Sequence, residues 1–340
     1  MRLRLLDWIA CPACGGDLEL NVTKSGRVPS WTAAPRFPSR HDEEVVVEDG
    51  TLACAVCAAR YPVTSGVPRL LVDPSSPGPA TGHRWTRFDT AVPAYEEHLR
   101  ELVSPLGPDD LLGKRVLDAG CGFGRHAFYA ARWGAEVVAV DSSTEAITSA
   151  SENLAGQDHA HVVQADLAHP PFKPGVFDVA MCFGVLHHVS DPRAVFRALD
   201  ALLVHGGRLL TSLHGPRQGL VRVATGALRG ATAEMAPEQL HRFCQVLAAA
   251  LRVMSHTPHR ALAHVPLAGS IVTHLPVHDH SRWPFDVVVA DIYDRLRVPL
   301  TGTYTGEELE KWYAEAGYAD IEVTRRVRNT EGFIGRGVKR

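Results

Sequence analysis

The sequence predicts an α/β protein built on a parallel sheet with helices on both faces, preceded by a small β-rich metal ribbon. Three observations predict it. Strand-like and helix-like stretches alternate from residue 115 to 213, the pattern of crossover connections in a parallel sheet. A glycine-rich turn follows the first of these strands, in Val116-Leu117-Asp118-Ala119-Gly120-Cys121-Gly122-Phe123-Gly124-Arg125. Two C-x-x-C pairs, Cys11/Cys14 and Cys54/Cys57, stand near the N-terminus. A metal held by both would fasten a segment too short to carry much core of its own.

The turn carries most of the chemistry. Val116 and Leu117 lead in as a buried strand, and a helix runs from Arg125 to Trp133. Glycines at alternate positions are needed because a Cβ would hold the backbone away from a ligand. The helix start adds unpaired N–H groups and a partial positive charge. Dinucleotide-binding domains share this arrangement, but they bring a pyrophosphate to the turn, which the carboxylate of Asp118 would repel. Asp118 suits a ligand with a cationic end, such as an amino-acid ammonium or a sulfonium.

At these residues the chain resembles the class I S-adenosylmethionine-dependent methyltransferases, whose first motif reads much like VLDAGCGFG. The resemblance continues in register. Glu136 to Val140 is a second strand ending in Asp141, followed by Ser142-Ser143, and the resemblance implies that Asp141 holds the ribose hydroxyls. Val162 to Ala165 is a third strand, with Asp166-Leu167 where the family holds the adenine amino group. Phe177 to Phe183 is a fourth, leading into Gly184-Val185-Leu186-His187-His188-Val189-Ser190-Asp191-Pro192. That segment resembles methyltransferases of the quinone-biosynthesis type, which act on small molecules. Gly206 to Leu210 turns into a fifth strand. The resemblance implies a Rossmann-like seven-stranded methyltransferase sheet in the order 3-2-1-4-5-7-6. It also implies S-adenosyl-L-methionine as cofactor, with Ala119, Gly120, Gly122, Gly124, Arg125, Ser142, Phe183 and Gly184 around it. The alternative is a doubly wound domain that binds another nucleotide.

Composition bounds the rest. The chain has 340 residues, enough for two domains, with 45% hydrophobic and 21% charged residues, an ordinary soluble globular balance. A net charge of −3 and a pI of about 6.6 give no basic field for nucleic acid. Apolar runs are too short to span a bilayer, and Asp7 interrupts Leu5-Leu6 too soon for a signal peptide. Four of the seven cysteines fall in the two pairs, which suggests metal ligation in a reducing compartment; a cytoplasmic location is expected.

Residues 1–72 form the expected ribbon. Two tight turns each offer two thiolates, and a closed site of four leaves no position for water or substrate, so a bound zinc would be structural. A redox C-x-x-C is the alternative. Short strands are expected at Leu18–Val22, Val45–Val47 and Tyr61–Val63, with residues 24–44 as a long loop. The runs CPACGG and LACAVCAARYPVTSGVPRLL resemble the small zinc-ribbon activator proteins that partner tRNA and protein methyltransferases. They also resemble the N-terminal ribbon of certain rRNA guanine methyltransferases.

Residues 73–84, rich in proline, read as a linker. A helix follows from Pro93 to Val103, and in the resembling family an aromatic-bearing segment here folds over the cofactor. Trp85 and Tyr95 are the candidates for that lid, with core packing as the alternative. Residues 85–340 form the methyltransferase domain, with an insertion at about 215–303 where the family places its acceptor pocket. In that insertion Leu240, Phe243, Leu247 and Leu251 make one apolar helix stripe. Six histidines lie between 256 and 280. His278-Asp279-His280 could supply metal ligands, but scattered surface or pocket histidines are the preferred reading. Thr305 and Glu308 form a helix-start box, Gly317 stops that helix, and strands are expected at 321–327 and 332–338.

Methyl transfer from a sulfonium is an in-line displacement, so the protein's tasks are alignment and exclusion of water. A proton must also leave if the acceptor is a hydroxyl, acidic carbon or amine. His187 is the first candidate for that base or for orienting the acceptor, with His188 beside it. His278, His280, Tyr293 and Tyr304 are weaker candidates, and Cys121 and Cys182 are given no nucleophilic role. The expected partner is a small-molecule acceptor, without nucleic acid or membrane span, for a monomer or homodimer. Two other functions stay open: an rRNA or tRNA methyltransferase whose ribbon grips RNA, and a catalytically silent cofactor-binding or interaction protein.

Overall fold

The computed structural model describes residues 1–27, 41, 45–73, 92–216, 219–265, 283–297, 302–326 and 332–340. Trp85, His278 and His280 lie outside the described residues, as does most of the loop between the cysteine pairs. Contacts divide the chain into two units. One comprises residues 1–215, 301–324 and 333–340; the other comprises 216–300 and 325–332.

The first unit opens on a 3-10 turn at Leu3–Asp7 and four strands, β1 (Leu18–Arg27), β2 (Val45–Cys54), β3 (Arg60–Thr64) and β4 (Val67–Leu70). They pair antiparallel in chain order. β1 and β2 run further than the sequence suggests. Lys24–Arg27, expected as loop, belongs to β1, where Ser25, Gly26 and Arg27 pair with Val47, Val46 and Val45. Their own strand propensity is poor, and the apolar partner strand overrides it.

Next come α1 (Pro93–Val103), α2 (Pro108–Leu111), β5 (Arg115–Ala119), α3 (Arg125–Arg132), β6 (Glu136–Asp141) and α4 (Thr144–Leu154). They are followed by β7 (Ala160–Ala165), β8 (Phe177–Phe183), α5 (Pro192–Leu202) and β9 (Leu203–His214). The second unit supplies α6 (Gly219–Thr232), α7 (Pro237–Leu251), α8 (Thr257–Leu262) and α9 (Phe285–Arg297). The chain then completes the first unit with α10 (Gly306–Glu315), β10 (Ala319–Arg325) and β11 (Gly332–Val338).

Among the described residues the sheet has eleven strands, four more than the seven expected, in the order β1-β2-β3-β4-β7-β6-β5-β8-β9-β11-β10. The reason is β4. It lies parallel to β7, with Arg69 opposite Gln164 and Leu70 opposite Ala165, so the N-terminal strands extend the sheet that follows. β5 to β9 are parallel neighbours, and the buried side chains of Val116, Leu117 and Val137–Val140 fit strands covered on both faces. Helix starts are capped where the sequence offers a cap. Ser143 Oγ accepts from Ala146 N at 3.2 Å, and Asp191 Oδ1 from Ala194 N at 2.9 Å. Thr305 and Glu308 make the expected reciprocal box.

One apolar core runs beneath the N-terminal strands and the parallel sheet together, joining Leu5, Ile9, Val47, Leu52 and Tyr61 to Val138, Val163 and Phe172. A buried charge cluster crosses the same boundary. The Arg4 guanidinium donates to Glu136 Oε1, and His161 Nε2 lies 3.3 Å from that oxygen. The side chains of Arg4 and Glu136 are 5% and 0% exposed. Burial pushes the Glu136 carboxyl up, but the hydrogen bonds from His161 and Arg4 outweigh it and hold the group below its ordinary range.

At the other end, Gly206 N donates to Lys339 O at 2.9 Å and Lys339 N to Gly207 O at 2.8 Å, tying β11 to the turn inside β9. The buried Tyr313 of α10 places its hydroxyl 3.1 Å from Leu209 O, 2.9 Å from Gly335 O and 3.1 Å from Thr211 Oγ1. Tyr313→Phe removes the one hydroxyl that these oxygens share in a buried site and is expected to cost about 1–3 kcal/mol. Urea unfolding would show a lower midpoint at unchanged slope.

In the second unit, Leu240, Cys244 and Ala248 of α7 pack with Val288, Val289, Ile292 and Tyr293 of α9. The α7 stripe therefore has its partner in α9. Tyr293 sits buried in this core, which removes it from the candidates for proton transfer. Among the described residues no helix is long and apolar enough to cross a membrane.

Candidate functional site

The glycine turn leaves β5 at Ala119. Gly120 has φ +78°, and a Cβ on it would lie 2.3 Å from Val185 Cγ2, so both backbone and space exclude a side chain. Gly120 N and Cys121 N donate to Val140 O at 2.8 and 2.9 Å, and Asn153 Nδ2 holds Phe123 O at 2.9 Å. The turn is thus pinned from β6 and α4.

Asp118 is 1% exposed, and its Oδ2 accepts from Ala127 N in the first turn of α3 at 3.0 Å. Burial raises its carboxyl to about 7, against the opposing pull of the Ala127 N–H and the Arg125 charge. Asp141, at the end of β6, accepts from Gly122 N at 3.0 Å and Ser143 N at 2.9 Å, so one carboxylate braces two turns. Ser142 O accepts from Gln164 Nε2 at 2.9 Å. Asp166 is exposed and accepts from Ala168 N at 2.9 Å, while Leu167 beside it is buried. Gly184 N donates to Ser212 O at 3.2 Å, and Phe183 packs edge-on against His126. These groups, with Ala119, Gly124 and Arg125, stand at or just beyond the carboxyl ends of β5 to β8, where open α/β sheets bind ligands.

Tyr95 packs edge-on to Phe123 with ring centroids 5.7 Å apart, and Arg125 lies over its ring. It is buried against the glycine turn.

Beyond β8 a short 3-10 turn, Leu186–His188, brings imidazoles together. His187 has 0% exposure. Its ring centroid is 4.1 Å from His188 and 4.3 Å from His214. A side chain without exposed surface does not meet an acceptor in this conformation; the partly exposed imidazoles are His188 and His214. His214, at the end of β9, belongs to no motif in the sequence. Its carbonyl accepts from Tyr304 N at 3.1 Å, which brings the partly buried Tyr304 to the same edge. Burial raises the Tyr304 phenol above its ordinary value, and burial likewise raises the Cys121 and Cys182 thiols. Neither cysteine is a nucleophile near neutral pH.

The second site is the thiolate cluster. The sulfurs of Cys11, Cys14, Cys54 and Cys57 all lie within 4.8 Å of one another. Gly15 N donates to Cys11 O and Cys11 N to Gly16 O, both at 2.8 Å, which closes the first knuckle. Four such sulfurs can hold a metal ion, and the all-sulfur set is the one a closed tetrahedral zinc site uses.

Residues 117–211, which span the turn and the carboxyl ends of β6 to β8, match the methyltransferase domain family. The chain carries a methyltransferase domain. Residues 2–66 match the Trm112p-like protein family. The ubiquinone biosynthesis O-methyltransferase of Xanthomonas euvesicatoria pv. vesicatoria is 40% identical over 107 residues, covering 30% of this chain and 44% of that one. Its counterpart in Pectobacterium carotovorum subsp. carotovorum is 37% identical over 106 residues, covering 31% and 44%. The chain therefore spans less than half the length of these relatives. Magnesium protoporphyrin IX methyltransferase from Synechocystis PCC 6803, solved with bound SAH, aligns over 76% of this chain and 84% of its own, at 18% identity and a TM-score of 0.41.

Proposed function

We propose that the chain is an S-adenosylmethionine-dependent methyltransferase that acts on a small-molecule acceptor. The observation that carries this reading is Asp118. It is a buried carboxylate under a glycine turn at the carboxyl edge of a parallel sheet, a setting for a ligand's ammonium and not for a phosphate. S-adenosylmethionine supplies the electrophilic methyl group; the chain's task is to hold it in line with the acceptor and keep water out. Asp118 holds the amino-acid end, Asp141 and Ser142 the ribose side, and Asp166 with Leu167 the adenine side. Gly120, Gly122 and Gly124 let the backbone approach. His188 and His214 take the proton role in place of the buried His187, with Tyr304 beside them. The O-methyltransferase relatives support oxygen as the atom methylated. The four cysteines hold zinc as a structural ion.

Calorimetric titration of the zinc-loaded chain with S-adenosylmethionine and its demethylated product tests the reading, repeated on Asp118→Ala and Asp141→Ala. Micromolar binding lost in both variants is expected. No binding by the wild type would turn the reading to a silent fold. An RNA affinity that falls steeply with salt would turn it to RNA modification.

A further inference from the structure

We propose that the thiolate site is two-faced. Tyr61 belongs to it as the hydroxyl that holds Cys11, and the exposed Cys14 and Cys57 are the sulfurs at which electrophiles attack. This rests on the zinc reading above. Cys11 and Cys54 are 2% and 4% exposed, whereas Cys14 and Cys57 are exposed.

The buried pair is also the more heavily hydrogen-bonded. Tyr61 Oη lies 3.3 Å from Cys11 Sγ, and a metal-bound thiolate has no proton, so the phenol donates. The Tyr61 ring is buried in the core on β3, opposite Leu52 of β2. The N–H groups of Ala13 and Cys14 also face Cys11. Cys54 accepts from Val56 N at 3.4 Å and from the Cys57 N–H. Cys14 accepts from the Gly16 N–H.

Each donated hydrogen bond draws on a sulfur lone pair. Four thiolates on a divalent ion leave a net charge of about −2, so such bonds stabilise the site and dull the sulfurs that receive them. The least covered and most accessible sulfurs stay nucleophilic. With N-ethylmaleimide, the lone pair of Cys14 or Cys57 forms a C–S bond to an alkene carbon. The π pair shifts to the adjacent carbonyl, and water supplies the proton that completes the succinimide. The resulting thioether is a poor ligand, and zinc escapes.

The experiment is limiting N-ethylmaleimide on the zinc-loaded full chain, with peptide mapping of each cysteine and a coloured chelator reading zinc release. Metal analysis comes first: a chain isolated without zinc, and unable to take it up, would fail the zinc reading itself. Cys14 and Cys57 are expected to label about tenfold faster than Cys11 and Cys54, with zinc release tracking them. Tyr61→Phe keeps the ring and is expected to speed Cys11 several-fold while leaving Cys14 and Cys57 unchanged. Replacing tyrosine throughout by 3-fluorotyrosine, a stronger donor of the same shape, should slow Cys11 and so decides the question should the phenylalanine variant not fold. Uniform labelling, or Cys11 and Cys54 reacting first, would overturn the asymmetry. A Cys11 rate indifferent to both tyrosine changes would remove Tyr61 from the site.

Discussion

Glu136→Ala should lower the stability of the chain by about 3–5 kcal/mol, because it leaves the Arg4 guanidinium buried without its carboxylate. The side chains of both are nearly inaccessible, and the 132-residue separation between them means that no local rearrangement restores the pair. Arg4→Met should cost a comparable amount by stranding Glu136, which would keep only His161. The double variant Arg4→Met/Glu136→Ala should cost clearly less than the sum, since no charge is then left unpaired. Urea unfolding of the three variants measures this. Additive losses, within about 0.5 kcal/mol, would show that the two residues do not act as a unit.

The second large effect is on cofactor affinity as a function of pH. Burial places the Asp118 carboxyl near 7 in the free protein, and a ligand's ammonium binds the ionised form. The complex therefore holds the carboxyl at a lower value than the free chain does. Affinity should fall as the pH drops below about 7, by up to tenfold per unit. The range from about 5.5 to about 6.8 stays roughly a unit below the α-amino group's own titration at about 8. Asp118→Asn should bind at least tenfold more weakly and lose the slope. A wild-type affinity that is flat across this range would contradict Asp118 as the ammonium's partner. Folding has the opposite sign: a carboxyl raised on folding favours the folded free chain in acid, and that contribution fades as pH rises from 3.8 towards 7.

What was legible in the sequence was local. The glycine turn, the paired cysteines, the Thr305–Glu308 box and the α7 stripe each declare themselves within a dozen residues, because they answer to backbone geometry or helical period. What escaped depends on chain segments meeting. Glu136 opens an otherwise apolar strand, and nothing near it in sequence shows that Arg4 and His161 enclose it. Val67–Leu70 is too short to register as a strand and finds its order only beside β7. His187 sits in a motif, but its burial comes from the ends of β8 and β9 converging, and so does the approach of His214. Tyr61 reads as an ordinary strand aromatic; nothing nearby in sequence points its hydroxyl at Cys11.

The short seam between β4 and β7 has a consequence for how the two modules behave on dilution. Its paired residues are Arg69 with Gln164 and Leu70 with Ala165, a ladder whose hydrogen bonds alone would not hold two separate molecules together at low concentration. Here both strands belong to one chain, so closing the seam is a first-order event whose equilibrium does not depend on how much protein is present. A cell that makes few copies of this chain still makes each one with its ribbon in place.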